Sequence, residues 1–252
     1  MKKNQSLKKP IKIRGKKGDK NGSFWLLGID EVGRGPLAGP VTVCAFGVKI
    51  SDCGGGKNEG ALNFDVNMAD MKFRQNFSKK YPNLILNDSK KTTERRREGI
   101  SLALRDVKNK DEYRFFIKSK SAKEIDKFGI SVCIHKLIGE LLKNFMKSLG
   151  ILNDDLFIIL DGGLKAPSEF KNQETHIKGD AKFAVISCAS ILAKVYRDDY
   201  VRKLSGKDKN MVKYGFEIHK GYGTRKHIES IRKNGVSLEH RKTFLKNISD
   251  SI

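Results

Sequence analysis

The chain has 252 residues and carries 51 Lys and Arg against 29 Asp and Glu, a formal net charge of +22. That excess suits a polyanionic partner better than a small neutral substrate. No stretch approaches eighteen consecutive apolar residues, which sets aside a membrane-spanning helix, and the length suits one main core, so a single catalytic-size domain and a monomer are expected.

Residues 1–23 hold nine basic residues against one acid, Asp19. Such a composition predicts a disordered basic tail, either a nucleic-acid arm or a solubilising extension, ahead of a folded part over 24–252. No apolar h-region follows the basic residues, so the tail does not read as a secretory signal and a cytoplasmic location is expected. The four cysteines, Cys44, Cys53, Cys133 and Cys188, lie far apart without a CxxC pair and read as reduced residues. His219 and His227 stand eight apart across a glycine turn, which matches no zinc-ligand spacing.

The apolar run 24–29 predicts a buried strand that stops at two adjacent acids, Asp30 and Glu31. Gly33, Arg34 and Gly35 follow, and glycines let a backbone approach a ligand while an arginine grips phosphate. Pro36 and Pro40 keep this loop from opening a helix, and the lysine and Ser/Thr of a Walker loop are missing. A second strand is expected over 41–48, giving strand, acidic turn, strand. Acids at a strand end followed by a phosphate-compatible loop point to metal-assisted chemistry on a phosphodiester.

Residues 51–81 read as an inserted loop with one short helix. Asn87, Asp88 and Ser89 then cap a helix over 90–104. A third strand is expected at 113–118, and Ser121 with Glu124 forms a capping box for a short helix that Gly129 ends. Apolar residues recur at steps of three and four through 130–149 until Gly150, the clearest helix of the chain. The run 156–160 is apolar throughout, predicts a strand buried on both faces, and ends in Asp161 beside Gly162 and Gly163. Asp180 follows Lys178 and Gly179 in a glycine-kinked loop, where spacing alone reads as a turn or helix-cap aspartate. Helices are expected over 184–203 and 224–234; Asp198 and Asp199, late in the first, read as salt-bridge partners near Arg197. The order of elements indicates an α/β layer protein.

Six segments in order, GIDEVGRGPLAGPV (28–41), LNDSKK (86–91), LDGG (160–163), KGD (178–180), SILAKVYRD (190–198) and HKGYGT (219–224), resemble the signature of ribonuclease HII, the type 2 ribonuclease H family. The resemblance runs over about residues 24–245 and leaves the tail and 51–81 outside the pattern. It implies a ribonuclease H-like mixed sheet flanked by helices, with a small helical C-terminal part. It also implies an acidic quartet of Asp30, Glu31, Asp161 and Asp180 that binds Mg²⁺ or Mn²⁺, with Asp30 and Asp161 as central ligands. Gly33, Arg34, Gly35 and Tyr222 match the elements that sense a ribonucleotide followed by a deoxyribonucleotide, through the 2′-hydroxyl. Ser89, Lys90, Lys178 and Arg34 match candidate phosphate contacts. Arg197 and Asp198 match structural positions.

The implied activity is endonucleolytic: cutting the RNA strand of RNA–DNA hybrids and nicking duplex DNA at embedded ribonucleotides, leaving 5′-phosphate and 3′-hydroxyl ends. Cys188 stands where alanine is common and Thr243 where serine is common. Ribonuclease HIII is similar but carries glutamate at the fourth acidic position and a folded N-terminal domain, against which Asp180 and the basic tail argue. Two other readings stay open: a ribonuclease H-like nuclease acting on DNA, and a hybrid-binding protein without catalysis. Because neighbouring strand side chains point to opposite faces, Asp30 and Glu31 reach one ion together only through a bend at Glu31 or through its carbonyl.

Overall fold

The computed structural model describes residues 11–13, 24–50, 62–86, 92–106, 112–207 and 209–246. In chain order these form β1 (Ile11–Ile13), β2 (Phe24–Val32), β3 (Val41–Ile50), β4 (Leu62–Phe64), α1 (Val66–Lys80), α2 (Glu94–Leu104), β5 (Tyr113–Lys120), α3 (Ala122–Phe128), α4 (Ile130–Leu149), β6 (Leu156–Asp161), β7 (Gln173–His176), α5 (Gly179–Lys182), α6 (Ala184–Lys207), α7 (Lys209–Val212), α8 (Phe216–His219) and α9 (Arg225–Asn234).

Five strands make one mixed sheet in the order β5-β3-β2-β6-β7. β2 is antiparallel to β3 and parallel to β6, so the apolar run 24–29 sits at the centre with both faces covered. Strand alternation divides its side chains between two cores. Phe24 and Leu26 join Cys44, Phe46, Phe157 and Ile159 under α6. Trp25, Leu27 and Ile29 join Val43, Ala45, Ile158 and Leu160 under α4, whose Leu137, Ile138, Leu141 and Phe145 supply the expected apolar stripe. The small residues at the start of α6 permit close approach to the sheet: a Cβ on Gly28 would lie 2.4 Å from the Val185 carbonyl carbon.

Several boundaries differ from expectation, each for a visible reason. β2 does not end at Ile29 but continues through Asp30 and Glu31 to Val32, because β3 keeps pairing with it, Asp30 opposite Cys44 and Glu31 opposite Val43. The acids therefore lie in the strand, not in a turn after it, and the ladder shows no bend at Glu31. α2 begins at Glu94 with Thr93 as its cap; residues 87–91, and with them the expected cap and both Ser89 and Lys90, lie outside the described residues. The segment 51–81 contains a fifteen-residue helix rather than a short one, α1, capped by Asp65. Of the basic tail, Ile11–Ile13 pairs antiparallel with β4, against the expectation of disorder for that piece; the rest of 1–23 is outside the described residues. β7 adds a strand that the sequence does not announce, because its largely exposed QETH carries no apolar signal. The capping box of Ser121 and Glu124, and the stops at Gly129, Gly150 and Gly235, are as expected.

Among the described residues, no helix is long and apolar enough to cross a membrane. Cys44, Cys133 and Cys188 are buried free thiols, and Cys53 lies outside the described residues.

Candidate active site

The parallel pairing of β2 with β6 carries the site. Its register ends at Ile29 opposite Leu160, so Asp30 and Asp161 are the next residues on adjacent strands. Both follow residues whose side chains alternate toward α6, so their carboxylates share that face. Asp30 is 6% exposed and accepts hydrogen bonds from the Glu31 main-chain N–H at 2.8 Å and from the Ser190 hydroxyl of α6. Burial, then the negative charges of Glu31 and Asp161, push its carboxyl well above the usual carboxylate range.

Glu31 leaves the strand toward the other face, yet its longer side chain comes within interaction range of the Asp30 carboxyl without any bend in the backbone. Burial raises its pKa, and the Arg34 guanidinium, bound to Oε1, opposes that rise. Arg34 is thus engaged with an acid in this state rather than held open for a phosphate.

Asp180 lies in α5, a single helical turn, not in an open loop. Gly179 brings it there: the Gly179 N–H donates to Asp161 Oδ1, and a Cβ at Gly179 would collide with Ile186 at 2.6 Å. Asp180 is 3% exposed, so the turn buries its carboxylate directly after the residue whose N–H is bound to Asp161. Lys178 before it is exposed and left-handed, with φ of 55°. Lys220 shares that conformation at φ 51°. Both lysines precede a glycine and then a candidate site residue, Asp180 or Tyr222, a placement of strained backbone typical of functional loops.

The glycine loop and the tyrosine also meet. The Leu37 N–H donates to the Gly221 carbonyl at 2.8 Å, and a Cβ on Gly221 would lie 2.6 Å from the Ala38 carbonyl oxygen. Arg197 is fully buried between the loops and donates from Nε to Pro40, from Nη1 to Lys220 and from Nη2 to Ala38, at 3.0, 3.1 and 3.1 Å. A Cβ on Gly33 would lie 2.5 Å from Arg197 Nε, which is why that position is glycine; a Cβ on Gly35 would meet nothing within 4 Å among the described residues. Arg241, also buried, donates to the carbonyls of Gly39 and Arg34. Tyr222 is 39% exposed, with the Arg197 guanidinium 5.7 Å and the Lys194 ammonium 5.4 Å from its ring centre, so it is no core tyrosine.

Sequence reasoning passes over Ser190, Arg241 and three linked histidines, His219, His227 and His240. A signal for Ser190 is present, since α6 places it one face-repeat after Ser187 and Ile186 over β2. The histidines are joined only in space.

All the converging donors are carboxylate oxygens, the set that Mg²⁺ and Mn²⁺ prefer. Among the described residues no three Asp, Glu, His or Cys side chains enclose an ion by themselves. Glu31 is bound to Arg34 and one oxygen of Asp161 to Gly179. A hard cation that takes one or two carboxylates and fills its shell with water and phosphate still fits this donor set, and the mutual repulsion of Asp30, Glu31 and Asp161 is what such a cation relieves.

Comparison with known proteins shows the fold and the family. In solved structures the fold is shared with ribonuclease HII of Archaeoglobus fulgidus, determined as a complex with PCNA (TM-score 0.56, 20% identity, 86% of this chain and 94% of that one). It is shared as well with ribonuclease H2 of Pyrococcus horikoshii (TM-score 0.54, 20% identity, 90% and 98%) and with Bst-RNase HIII in complex with Mn²⁺ (TM-score 0.58, 17% identity, 92% and 72%). The mixed sheet with its flanking helices is therefore a ribonuclease H-like fold. The ribonuclease HII family model matches residues 53–247, a stretch that takes in most of 51–81 and stops short of 24–41. Curated relatives named ribonuclease HII match from Clostridium acetobutylicum, 32% identical over 90% of this chain and 74% of theirs, and from Clostridium perfringens strain SM101, 34% identical over 89% and 68%. The chain belongs to the ribonuclease HII family.

Proposed function

We propose that this protein is an endonuclease that hydrolyses the RNA strand of RNA–DNA hybrids and nicks duplex DNA 5′ to an embedded ribonucleotide, leaving 5′-phosphate and 3′-hydroxyl ends. The observation that carries the reading is the adjacency of Asp30 and Asp161 at the ends of parallel strands, with Asp180 drawn in by Gly179. Family membership and a net charge of +22 support it.

Asp30 and Asp161 are the central ligands of Mg²⁺ or Mn²⁺, with Asp180 and Glu31 completing the acidic set. When bound, such ions supply an activated water, neutralise phosphate charge and relieve the leaving oxygen. Ser190 holds the Asp30 carboxylate in place, and Gly179 does the same for Asp161. Arg34 exchanges Glu31 for a substrate phosphate. Gly35, open to solvent, lets main-chain groups approach the 2′-hydroxyl, the group that separates RNA from DNA. Tyr222 stacks on the next sugar and rejects one carrying a 2′-hydroxyl. Lys178, exposed at the rim beside Asp180, contacts the backbone, as do Ser89 and Lys90. The protein acts as a monomer in the cytoplasm.

The test is a pair of labelled substrates, a full hybrid and a DNA duplex with one ribonucleotide, each with and without Mg²⁺ or Mn²⁺. Metal-dependent cutting of both, lost in Asp30→Asn and Asp161→Asn, is expected. Equal cutting of an all-DNA duplex would favour a DNA nuclease, and tight binding of the hybrid without cutting would favour a non-catalytic protein.

A further inference from the structure

α1 presents Val66, Asp70, Phe73 and Phe77 to the body of the protein, spacings of one helical face. Phe73 packs 5.5 Å from the Phe46 ring and 6.2 Å from that of Tyr113. In the middle of this apolar stripe stands a carboxylate. Asp70 is 4% exposed, and burial raises its pKa against the pull of its partners. A buried acid in a hydrophobic seam is costly unless its oxygens are bound, and both are: Oδ2 accepts from the Ala184 N–H at 2.8 Å and Oδ1 from the Val185 N–H at 2.9 Å. These are the first two residues of α6, so Asp70 caps that helix from another element. One turn later Arg74 donates to the carbonyls of Leu86 at 2.6 Å and Lys182 at 3.3 Å.

Val185, whose N–H Asp70 holds, touches the central strand through its next peptide. The Val185 carbonyl and the Ile186 N lie where a Gly28 Cβ would be, within 2.5 Å, and Gly28 is two residues before Asp30. Downstream, α6 delivers Ser190 to the Asp30 carboxylate. Upstream, Lys182 ends the single turn that carries Asp180. α1 thus grips the α5–α6 junction at both sides, by Arg74 on Lys182 and by Asp70 on Ala184 and Val185.

We propose that Asp70 is a positioning residue for the carboxylate site: through the first turn of α6 it fixes the height of Ser190 over Asp30 and the seating of the Gly179–Asp180 turn on Asp161. The proposal rests on the reading of those acids as metal ligands. α1 is on this view a brace for the site, with Arg74 as its second contact, and substrate binding does not pass through it.

The test uses the full chain with Asp70→Ala, Asp70→Asn and Arg74→Ala. Mn²⁺ binding is titrated without substrate by the loss of the free-ion electron paramagnetic resonance signal, and hybrid cleavage is measured well below each variant's Tm. For Asp70→Ala, Mn²⁺ affinity and kcat are expected to fall by about tenfold, the scale of a lost partner behind a metal ligand, with KM for the hybrid within about twofold. Asp70→Asn, whose amide oxygen still accepts one N–H, is expected to recover most of the loss. If Asp70→Ala does not fold, Arg74→Ala decides, with Mn²⁺ affinity expected to fall by about threefold. A lowered Tm with unchanged Mn²⁺ affinity and kcat would overturn the proposal and leave Asp70 a stabilising cap. Asp30→Asn, run alongside, separates the two layers: wild-type cleavage and Mn²⁺ binding in that variant would overturn the site reading and this proposal together.

Discussion

His227 and His240 meet through their Nε2 atoms at 3.0 Å in a buried setting, so one proton serves two nitrogens. The neighbouring bonds assign it. His227 Nδ1 lies 2.9 Å from the Tyr222 carbonyl and must donate there, which leaves His227 Nε2 as acceptor and His240 Nε2–H as donor. His240 Nδ1 then accepts from the N–H of Ser237 at 2.9 Å. His219, stacked 4.2 Å from His227, accepts from the Gly221 N–H at Nδ1 and donates to the Tyr214 carbonyl at Nε2. All three rings are neutral in this network, and an added proton on any of them faces another N–H.

A pH dependence follows. Burial lowers His227 and His240 from 6.5 to about 4, with repulsion between the rings adding to it, and lowers His219 as well. The unfolded chain binds protons below pH 6.5 that the native state refuses, so this contribution to stability is complete above about 6.5, shrinks as the pH falls, and is gone below about 4. Asp126, Glu124 and Glu140 have lowered values, so their losses come at lower pH, whereas burial raises Asp30, Glu31 and Asp70, which take up protons on folding and add stability as the pH falls. The histidine part is therefore read by difference: as the pH drops from about 7.5 to about 4.5, the Tm of His240→Gln should lose less, or gain more, than the parent's. Parallel Tm profiles for the two would remove the relay.

The buried fork of Arg197 makes a second prediction. Lysine brings its donors on a single atom and cannot span three carbonyls set around a planar guanidinium. Arg197→Lys leaves at least one buried carbonyl unmet and replaces the planar guanidinium near the Tyr222 ring with an ammonium, so a loss of about 2 to 4 kcal/mol is expected from unsatisfied groups. Urea unfolding reads it directly. A variant as stable as the parent would mean that water replaces the lost donors.

What the sequence makes legible depends on whether the signal is local. The strands at 24–29 and 156–160 and the helix over 130–149 are written as apolar periodicity, and Ser121 with Glu124 as a cap, so all can be read directly. The six family segments mark Asp30, Asp161, Asp180 and Tyr222 as candidates, but not that Asp30 and Glu31 lie inside a paired strand, since the partner residues Cys44 and Val43 carry no mark of register. α1 is underestimated because its buried stripe includes Asp70, a residue that reads as surface until its partners 114 and 115 positions away are known. The histidine relay is invisible for the same reason: eight-residue spacing suggests nothing until the ring of His240 is folded against His227. Arg197 reads as an ion-pair partner of Asp198, and that pair forms at 3.8 Å; what the sequence does not show is that the same guanidinium also donates to three main-chain carbonyls.

Tyr222 offers a third prediction, tied to substrate. Its exposed ring rests on Arg197 and Lys194, and its carbonyl is held by His227, so the ring is presented rather than packed. Tyr222→Ala should slow nicking at a single embedded ribonucleotide by at least about tenfold, the cost of a lost base- or sugar-stacking contact of roughly 1 to 3 kcal/mol, and slow cutting of a long hybrid less. The single-ribonucleotide substrate offers only one junction, whereas a hybrid offers many registers. Equal losses on both would make Tyr222 a general binding residue.

The last prediction separates two downstream aspartates. Asp180 is buried, and its neighbour Gly179 is bound to Asp161. Asp198 is also buried, but late in α6, where it accepts from Lys194 Nζ at 3.0 Å, one turn back on the same helix. Arg197 Nη1 stands 3.8 Å from the same carboxylate oxygen, and Lys194 in turn lies over the Tyr222 ring. Asp180→Asn keeps shape and hydrogen bonding while removing the charge that would face a metal-bound phosphate, so turnover should drop about a hundredfold or more with the fold intact. Asp198→Asn should cost about 1 to 2 kcal/mol, because a charge-assisted bond becomes a neutral one in a nearly closed setting, with turnover close to the parent's. Melting and single-turnover cleavage of both variants, side by side, decide between them. An active Asp180→Asn with a dead Asp198→Asn would move the fourth acid from α5 to α6 and require the site to be rebuilt around Lys194.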